Sequence, residues 1–318
     1  DPEAYEAYLK GQFHMSKFSP ADNNTALQYF NLALEKDPEF ALGYAGIAVV
    51  WVQRQSMGVV SPKVAGPRGT EAINRALQLN SDDEEVQFAS ALVSGWVQWD
   101  WAASEAAFRR ALDLNASLAE AHSGYAHLLQ SLRRPGEAMA HIERAIELDP
   151  HNSQLQALYC QNLNFIGRYD DAIAQCRKAL DTAPNSMTAH TGLHGGFYQK
   201  GMYPEALEHW KEKYAITRQR EVVEALDRGY AEAGYARAMV LAAEKLVARS
   251  RTAYVAPSNI AALYANAGKT DEALAWLEKA YDAHDPNMLW INVIPHFAGL
   301  RSEPRFQELL RRMNLPSP

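Results

Sequence analysis

Cysteine is scarce in this sequence, and long apolar runs do not occur in it. The only cysteines among the 318 residues are Cys160 and Cys176, which excludes a disulfide-rich scaffold and suits a reducing compartment. No apolar run approaches the roughly 20 residues of a membrane-spanning helix, and the N-terminal DPEAYEAYLK does not resemble a signal peptide. We therefore expect a cytoplasmic location; a periplasmic one would require a membrane anchor before Asp1.

An excess of basic residues is also lacking. Lys and Arg together number 31 against 38 Asp and Glu, so the formal net charge is −7. Because affinity for nucleic acid depends on clustered cations that displace counterions, we expect no nucleic-acid binding by this chain. The 47% of hydrophobic residues is that of an ordinary folded protein, which excludes disorder.

Short catalytic motifs are missing as well. The sequence contains no phosphate-binding GxxxxGK[ST], no GxSxG, no HExxH and no CxxC. Carboxylate pairs such as Asp170/Asp171 begin helices, where negative charge favours the positive end of the helix dipole. We expect a non-catalytic protein without a cofactor or metal.

What the sequence does contain is an internal repeat. Ala138, Ala172 and Ala206 are each 34 residues apart, and the same interval joins Gly167 to Gly201 and Pro150 to Pro184. A period of 34 with small, aromatic and proline positions in this order resembles the tetratricopeptide repeat (TPR). Each unit has an amphipathic first helix, a tight turn and a second helix that ends before a proline. One hairpin cannot bury its apolar faces alone, so neighbouring hairpins must stack.

The period predicts an all-α, right-handed TPR superhelix of about eight helix-turn-helix repeats with a C-terminal capping helix. A surplus in SMGVVSPKVAGPRG and one degenerate repeat interrupt the register, and the tail places Phe306, Leu309, Leu310 and Met313 on one face of a helix. The predicted array covers residues 1–286, with approximate repeats at 4–40, 41–83, 84–118, 119–152, 153–186, 187–220, 221–252 and 253–286, and a capping segment at 287–318.

Several phrases resemble a more particular group, the C-terminal TPR regions of bacterial multidomain regulators. They are DPEAYEAYLKG, WDWAASEAAFRRALDLN, YVAPSNIAALYANAGKTDEALAWLEKAY and LRSEPRFQELLRRMNLP. Such regions are fused to winged-helix regulators, Ser/Thr kinases or nucleotide cyclases. The resemblance implies protein contacts or signal input within a bacterial signalling or transcription-regulatory protein.

The register also predicts a binding surface. Three clustered tryptophans raise the question of a ligand site, but Trp101 falls on the aromatic site that opens second helices, and Trp99 falls on the turn. The first-helix face that packing leaves free would line the concave groove of the superhelix. Its candidate partner-binding residues are Trp96, Ser123, His127, Gln130, Gln161, Asn164, Thr191 and Tyr198.

These neutral, polar and partly aromatic side chains can hydrogen-bond an extended backbone and stack on a side chain. We therefore predict a protein- or peptide-binding scaffold or sensor module; a solvated groove without a ligand stays the bland alternative. The surface lacks the cations with which some chaperone-binding TPR modules clamp a terminal carboxylate. A second hypothesis is a small-molecule sensor, with a ligand between Trp96, His127 and Tyr198 that controls a fused output domain. The partner's identity and the oligomeric state stay open.

Two further constellations have a structural role as their simplest reading. His190 and His194 share a helix face at i, i+4, a spacing that can hold a metal, but both align with packing positions of the repeat. Cys160 and Cys176 fall on the two helices of one hairpin and can be close. Because unpaired cysteines commonly act as small buried apolar groups, we expect these two to be free.

Overall fold

The chain is built of α-helices. The computed structural model describes residues 1–317, and no β-strand occurs among them. Within these residues, helices that follow one another along the chain pack as hairpins, and the hairpins stack in chain order. The prediction of an all-α solenoid of helical hairpins is confirmed. None of the helices in residues 1–317 combines the length and apolar character required to cross a membrane.

The chain divides into two compact units, Asp1–Leu128 and the residues from Leu129 onward. In the first unit α1 pairs with α2 and α3 with α4, while α5 continues into a π-helical segment, Val93–Gln98, before α6. The bounds of these helices are α1 Pro2–Met15, α2 Pro20–Lys36, α3 Ala41–Ser56, α4 Pro62–Leu79, α5 Glu84–Leu92, α6 Trp101–Leu114 and α7 Ala119–Ser131.

In the second unit α9 pairs with α10, α11 with α12, and α14 with α15. The bounds are α8 Pro135–Leu148, α9 Ser153–Phe165, α10 Tyr169–Thr182, α11 Met187–Gln199, α12 Tyr203–Ile216, α13 Arg220–Arg249, α14 Pro257–Asn266, α15 Thr270–Asp282 and α16 Pro304–Arg312. Two short 3₁₀ segments, Pro286–Trp290 and Pro295–Leu300, lie between α15 and α16.

Local signals start the helices where the sequence places them. The Asp1 carboxylate accepts hydrogen bonds from the backbone N–H groups of Glu3 and Ala4, at 2.7 and 3.2 Å. Asp100 caps α6 through the N–H of Ala103 at 3.0 Å. These side chains satisfy backbone donors that have no partner inside the helix, so each cap fixes a helix start.

Small residues allow the helices of a hairpin to approach closely. Ala172 and Ala179 are fully buried, and the Phe30 ring fills the space beside Gly11 and Gly46. A Cβ atom on either glycine would lie 2.5–2.6 Å from that ring. Burial of such contacts supplies the hydrophobic stabilisation that one isolated hairpin lacks.

Helix α13 is itself a hairpin. Ala233 and Gly234 leave helical geometry, and Gly234 has a φ of 79°. Near this turn, a Cβ on Gly229 would lie 2.6 Å from the Cα of Ala238. At the far end, Arg249 Nη1 lies 3.2 Å from Glu221 Oε1. The residues predicted to be a degenerate repeat therefore fold back on themselves in two antiparallel arms.

The C-terminal helix α16 covers apolar surface on α15. Its Phe306, Leu309 and Leu310 side chains are buried, as is Met313 directly after it. Arg305 Nη2 lies 2.9 Å from Glu278 Oε2 and pairs α16 with α15 at the surface. The four apolar residues are those that the sequence places on one helix face.

Candidate functional site

In the first unit, the predicted partner-binding residue Trp96 is part of the core. It lies in the π-helical segment, is 7% exposed, and meets the Phe108 ring edge-on at a centroid distance of 6.4 Å. Its backbone carbonyl accepts a 3.1 Å hydrogen bond from Gln55 Nε2. The tryptophan that sequence register placed on the groove wall thus has its ring in packing contact with the second helix of its own hairpin.

Ser123 and His127 lie on α7 and are buried as well. The Ser123 hydroxyl donates to the carbonyl of Glu120 at 3.1 Å, one turn back along the helix. Burial lowers the pKa of His127 to about 4, so the imidazole is neutral at pH 7. These two side chains present little surface to solvent.

In the second unit, the predicted residues on α9 tie this helix to α11. Asn164 is buried, and its Nδ2 donates to the carbonyl of Gly192 at 2.8 Å. Gln161 is only partly buried, and its Nε2 reaches the carbonyl of Thr188 at 3.5 Å. Asn164 therefore fixes the spacing of the two first helices, whereas the Gln161 contact is at the limit of a hydrogen bond. Gln130, on α7, is also buried.

Tyr198 lies on α11 in a cluster of aromatic rings. Its centroid is 5.8 Å from His194, 5.9 Å from Tyr203 and 5.8 Å from Tyr235. Burial and then the neighbouring Tyr203 raise the pKa of the Tyr198 hydroxyl. Tyr198 and Thr191 remain partly exposed on α11, and with Gln161 they are the predicted site residues that retain intermediate exposure.

Buried bases surround this aromatic cluster. Burial, and then the charges of His296 and Lys213, hold the pKa of His194 well below its ordinary value. His194 Nε2 lies 2.9 Å from the Tyr235 hydroxyl. Burial lowers the pKa of Lys213 to about 8, while its Nζ stands 4.5 Å from the centroid of Trp210. The cluster is thus apolar and weakly cationic, and the sequence period gives no sign of it.

Residues 286–300 follow the inner, first-helix side of the second unit. Trp290 stacks on Phe165 of α9 with centroids 6.2 Å apart, and the Pro295 carbonyl accepts a 3.0 Å hydrogen bond from Gln199 of α11. The 3₁₀ segment Pro295–Leu300 also contacts α14. The sequence pattern predicted only a capping role for these residues. Their loss of helical period between Pro286 and Pro295 was the one available signal.

The histidine pair that suggested a metal has other partners. His190 Nε2 lies 3.0 Å from the Pro184 carbonyl, and His190 Nδ1 lies 3.1 Å from His209 Nδ1. Because His190 donates to that carbonyl, its Nδ1 accepts the proton of His209. Within residues 1–317 no group of three or more His, Cys, Asp or Glu side chains could hold a metal ion.

The expectation of free cysteines is wrong. Cys160 on α9 and Cys176 on α10 form a disulfide, with their Cα atoms 5.3 Å apart. Both are fully buried, and a Cβ on Gly192 of α11 would lie 2.5 Å from either sulfur. The hairpin period placed the two positions near each other, but sequence spacing does not reveal whether facing thiols are bonded.

Comparison with known proteins bears on the family and the fold. The tetratricopeptide repeat family model matches residues 119–152. No curated protein matches the chain. A structure of a human IFIT1 dimer with m7Gppp-AAAA is similar at 16% identity over 83% of this chain and 68% of its own, with a TM-score of 0.60.

Two other solved structures are similar in part. A thermophilic TPR protein of Thermus thermophilus, TTC0263, shares 15% identity over 58% of this chain and 94% of its own, with a TM-score of 0.46. PilW, a type IV pilus biogenesis factor, shares 16% identity over 83% and 98%, with a TM-score of 0.45. At such identities the likeness concerns the fold.

Proposed function

Because the chain is a tetratricopeptide-repeat protein, we propose that it is a non-catalytic scaffold that binds a protein or peptide segment through the first-helix surface of its second unit. The TPR fold points to a protein-binding scaffold in general. The surface that we propose is formed by Gln161, Thr191 and Tyr198, the predicted site residues with partial exposure. The more deeply buried site residues serve it indirectly, by fixing the helices.

Weak polar contacts on this surface support the proposal. Gln161 reaches the Thr188 carbonyl at 3.5 Å, and Gln154 reaches Thr188 Oγ1 at 3.4 Å. Hydrogen bonds of this length contribute little, so these amides can turn to the backbone of an extended peptide at small cost. Tyr198 supplies a large, rigid side chain beside them, of the type that dominates binding energy in protein interfaces.

The same surface carries no net charge. Its three side chains are neutral, so recognition rests on backbone hydrogen bonds and aromatic contact rather than on ion pairs. We expect partner affinity at this surface to depend only weakly on salt, since screening acts on charged contacts. This distinguishes the proposed mode from capture of a charged terminus.

A peptide-display selection against the full chain tests the proposal. We expect selected peptides to lose at least about tenfold in affinity on Tyr198→Ala, and a smaller amount on Gln161→Ala or Thr191→Val. Lys178→Ala, an exposed substitution on the second helix α10, is the matched control and should leave affinity unchanged. Peptides that bind the Tyr198→Ala/Gln161→Ala double variant as tightly as the parent chain would refute this surface.

The cellular context follows from the resemblance to bacterial multidomain regulators, and we include it in the proposal: the scaffold serves a bacterial signalling or transcription-regulatory protein. The complete gene tests this part. Codons for a winged-helix, kinase or cyclase domain in the same reading frame would support it. A reading frame that joins this chain to no such domain would contradict it.

A further inference from the structure

One stretch of this acidic chain contains no acidic residue. Between Glu39 and Glu71 the sequence has Arg54, Lys63 and Arg68 but neither Asp nor Glu, although the whole chain has a net charge of −7. The stretch forms α3, the first residues of α4 and the connection between them. The end of this hairpin, which carries the surplus over the 34-residue period, is therefore locally cationic.

Both arginines of this stretch lie against one tryptophan. The guanidinium carbon of Arg54 is 4.7 Å from the ring centroid of Trp51, and that of Arg68 is 4.6 Å from it. The two guanidinium carbons are therefore no farther apart than these distances together, 9.3 Å. Trp51 itself is 6% exposed. The indole thus holds two cationic groups from adjacent helices near each other, as cation–π contacts do.

Neither guanidinium has a carboxylate partner among residues 1–317, in which ion pairs link many of the other arginines. Arg54 Nε is buried and donates no hydrogen bond within this part of the chain. A buried donor without an acceptor costs free energy that a bound acceptor would recover. Planar guanidinium groups match carboxylates in particular, because two parallel N–H groups can donate to both oxygens.

Apolar side chains are exposed at the same hairpin end. Val59, next to the turn residue Gly58, is 43% exposed, and Val64 in the first turn of α4 is 45% exposed. Together with the arginines they form what we call the α3–α4 tip: Trp51, Arg54, Val59, Val64 and Arg68. Such a surface fits a ligand that has anionic groups and apolar side chains together.

We propose that the α3–α4 tip binds an acidic segment of a partner protein, with carboxylates that pair with Arg54 and Arg68 and an adjacent apolar residue that contacts the valines. Alternate residues of an extended segment lie about 6.6 Å apart on one side, which fits within the upper limit on the separation of the guanidinium groups. An anionic membrane is the less suitable occupant. Trp51 is covered rather than available for insertion at a lipid interface.

The test uses the whole chain and a fluorescein-labelled peptide of sequence Glu-Gly-Glu-Val-Val-Gly, with binding followed by fluorescence anisotropy at low ionic strength. We expect Arg54→Gln and Arg68→Gln each to weaken binding about tenfold, since each removes a charge-assisted contact. Arg75→Gln is the matched control, because Arg75 is an exposed arginine further along α4. It should change the affinity less than about twofold.

Further arms separate binding at the α3–α4 tip from binding elsewhere on the chain. A peptide with glutamine in place of glutamate should lose binding, and Tyr198→Ala should have no effect, so failure here and failure of the first-helix surface are distinguishable. Circular dichroism should show unchanged helicity in Arg68→Gln, whose side chain is exposed. Equal weakening by Arg75→Gln would overturn the proposal. So would arginine-dependent binding to phosphatidylserine vesicles without binding to the peptide.

Discussion

At the residue scale, one backbone position repeats along the chain with the same unusual conformation. Trp99, Arg133, Gly167 and Gly201 follow one another at intervals of 34 residues and have φ values of 57°, 59°, 81° and 72°. Gly234 and Gly268 continue the series with 79° and 69°. Each residue ends a first helix in the left-handed region, which costs a residue with a Cβ roughly 1–2 kcal/mol. The hairpin turn therefore selects glycine, and Trp99 and Arg133 are exceptions.

This position makes a prediction in both directions. Arg133 is exposed, and we expect Arg133→Gly to raise the free energy of unfolding of the second unit by about 1 kcal/mol. Gly201→Ala should lower it by a similar amount, although its Cβ would meet no atom within 4 Å. Urea denaturation followed by circular dichroism measures both changes.

The control for these substitutions is Gly136→Ala. This glycine lies in the first turn of α8, and its Cβ would also have open space. Since alanine favours helix over glycine, we expect no loss of stability there. If Gly136→Ala and Gly201→Ala change stability equally, backbone conformation is not what the 34-residue series selects.

At the scale of elements, the disulfide and Gly192 belong to one contact between two hairpins. Cys160 and Cys176 join α9 to α10, and α11 approaches their sulfurs so closely that only glycine fits at 192. We expect Gly192→Ala to destabilise the second unit by about 1–3 kcal/mol, because the added methyl displaces packed groups.

Gly195→Ala on the same helix is the matched control, because the nearest atom to its Cβ would be 3.7 Å away. A double-mutant cycle sharpens the measurement. In a Cys160→Ala/Cys176→Ala background the sulfurs are gone, so Gly192→Ala should cost much less. An equal cost in both backgrounds, measured by denaturation, would mean that the sulfurs are not the limiting contact.

Particular residues show how far sequence reasoning reaches at this scale. The period identified the turn at Gly167 and the apolar face of α16, because hairpin packing imposes both repeatedly. It misplaced Trp96, because the π-helical segment Val93–Gln98 rotates side chains away from α-helical register. It also missed the course of residues 286–300, whose contacts with Phe165 and Gln199 join residues far apart in sequence. Local pattern carries no information on such contacts.

At the scale of the whole molecule, buried histidines link stability to pH. Burial lowers the pKa of His127 to about 4 in the first unit and, in the second, those of His209 and His296 to about 4 and about 3. In the unfolded chain a histidine titrates near 6.5. Between these values the unfolded state binds more protons, so stability is fully present above pH 6.5 and is lost as the pH falls toward 4. Burial raises the pKa of Glu85 and Asp285, which opposes this trend.

The contribution of His127 can be isolated. From pH 7.5 to 5.0, a histidine whose folded pKa is about 4 removes about 2 kcal/mol from the free energy of unfolding. We expect His127→Gln to lose less stability than the parent chain over this interval, by roughly that amount, in urea denaturation at the two pH values. His151→Gln, a substitution of an exposed histidine, should leave the pH dependence unchanged. If His127→Gln and the parent chain lose stability in parallel, His127 is not a buried neutral base, and the acid sensitivity of the chain must arise from other groups.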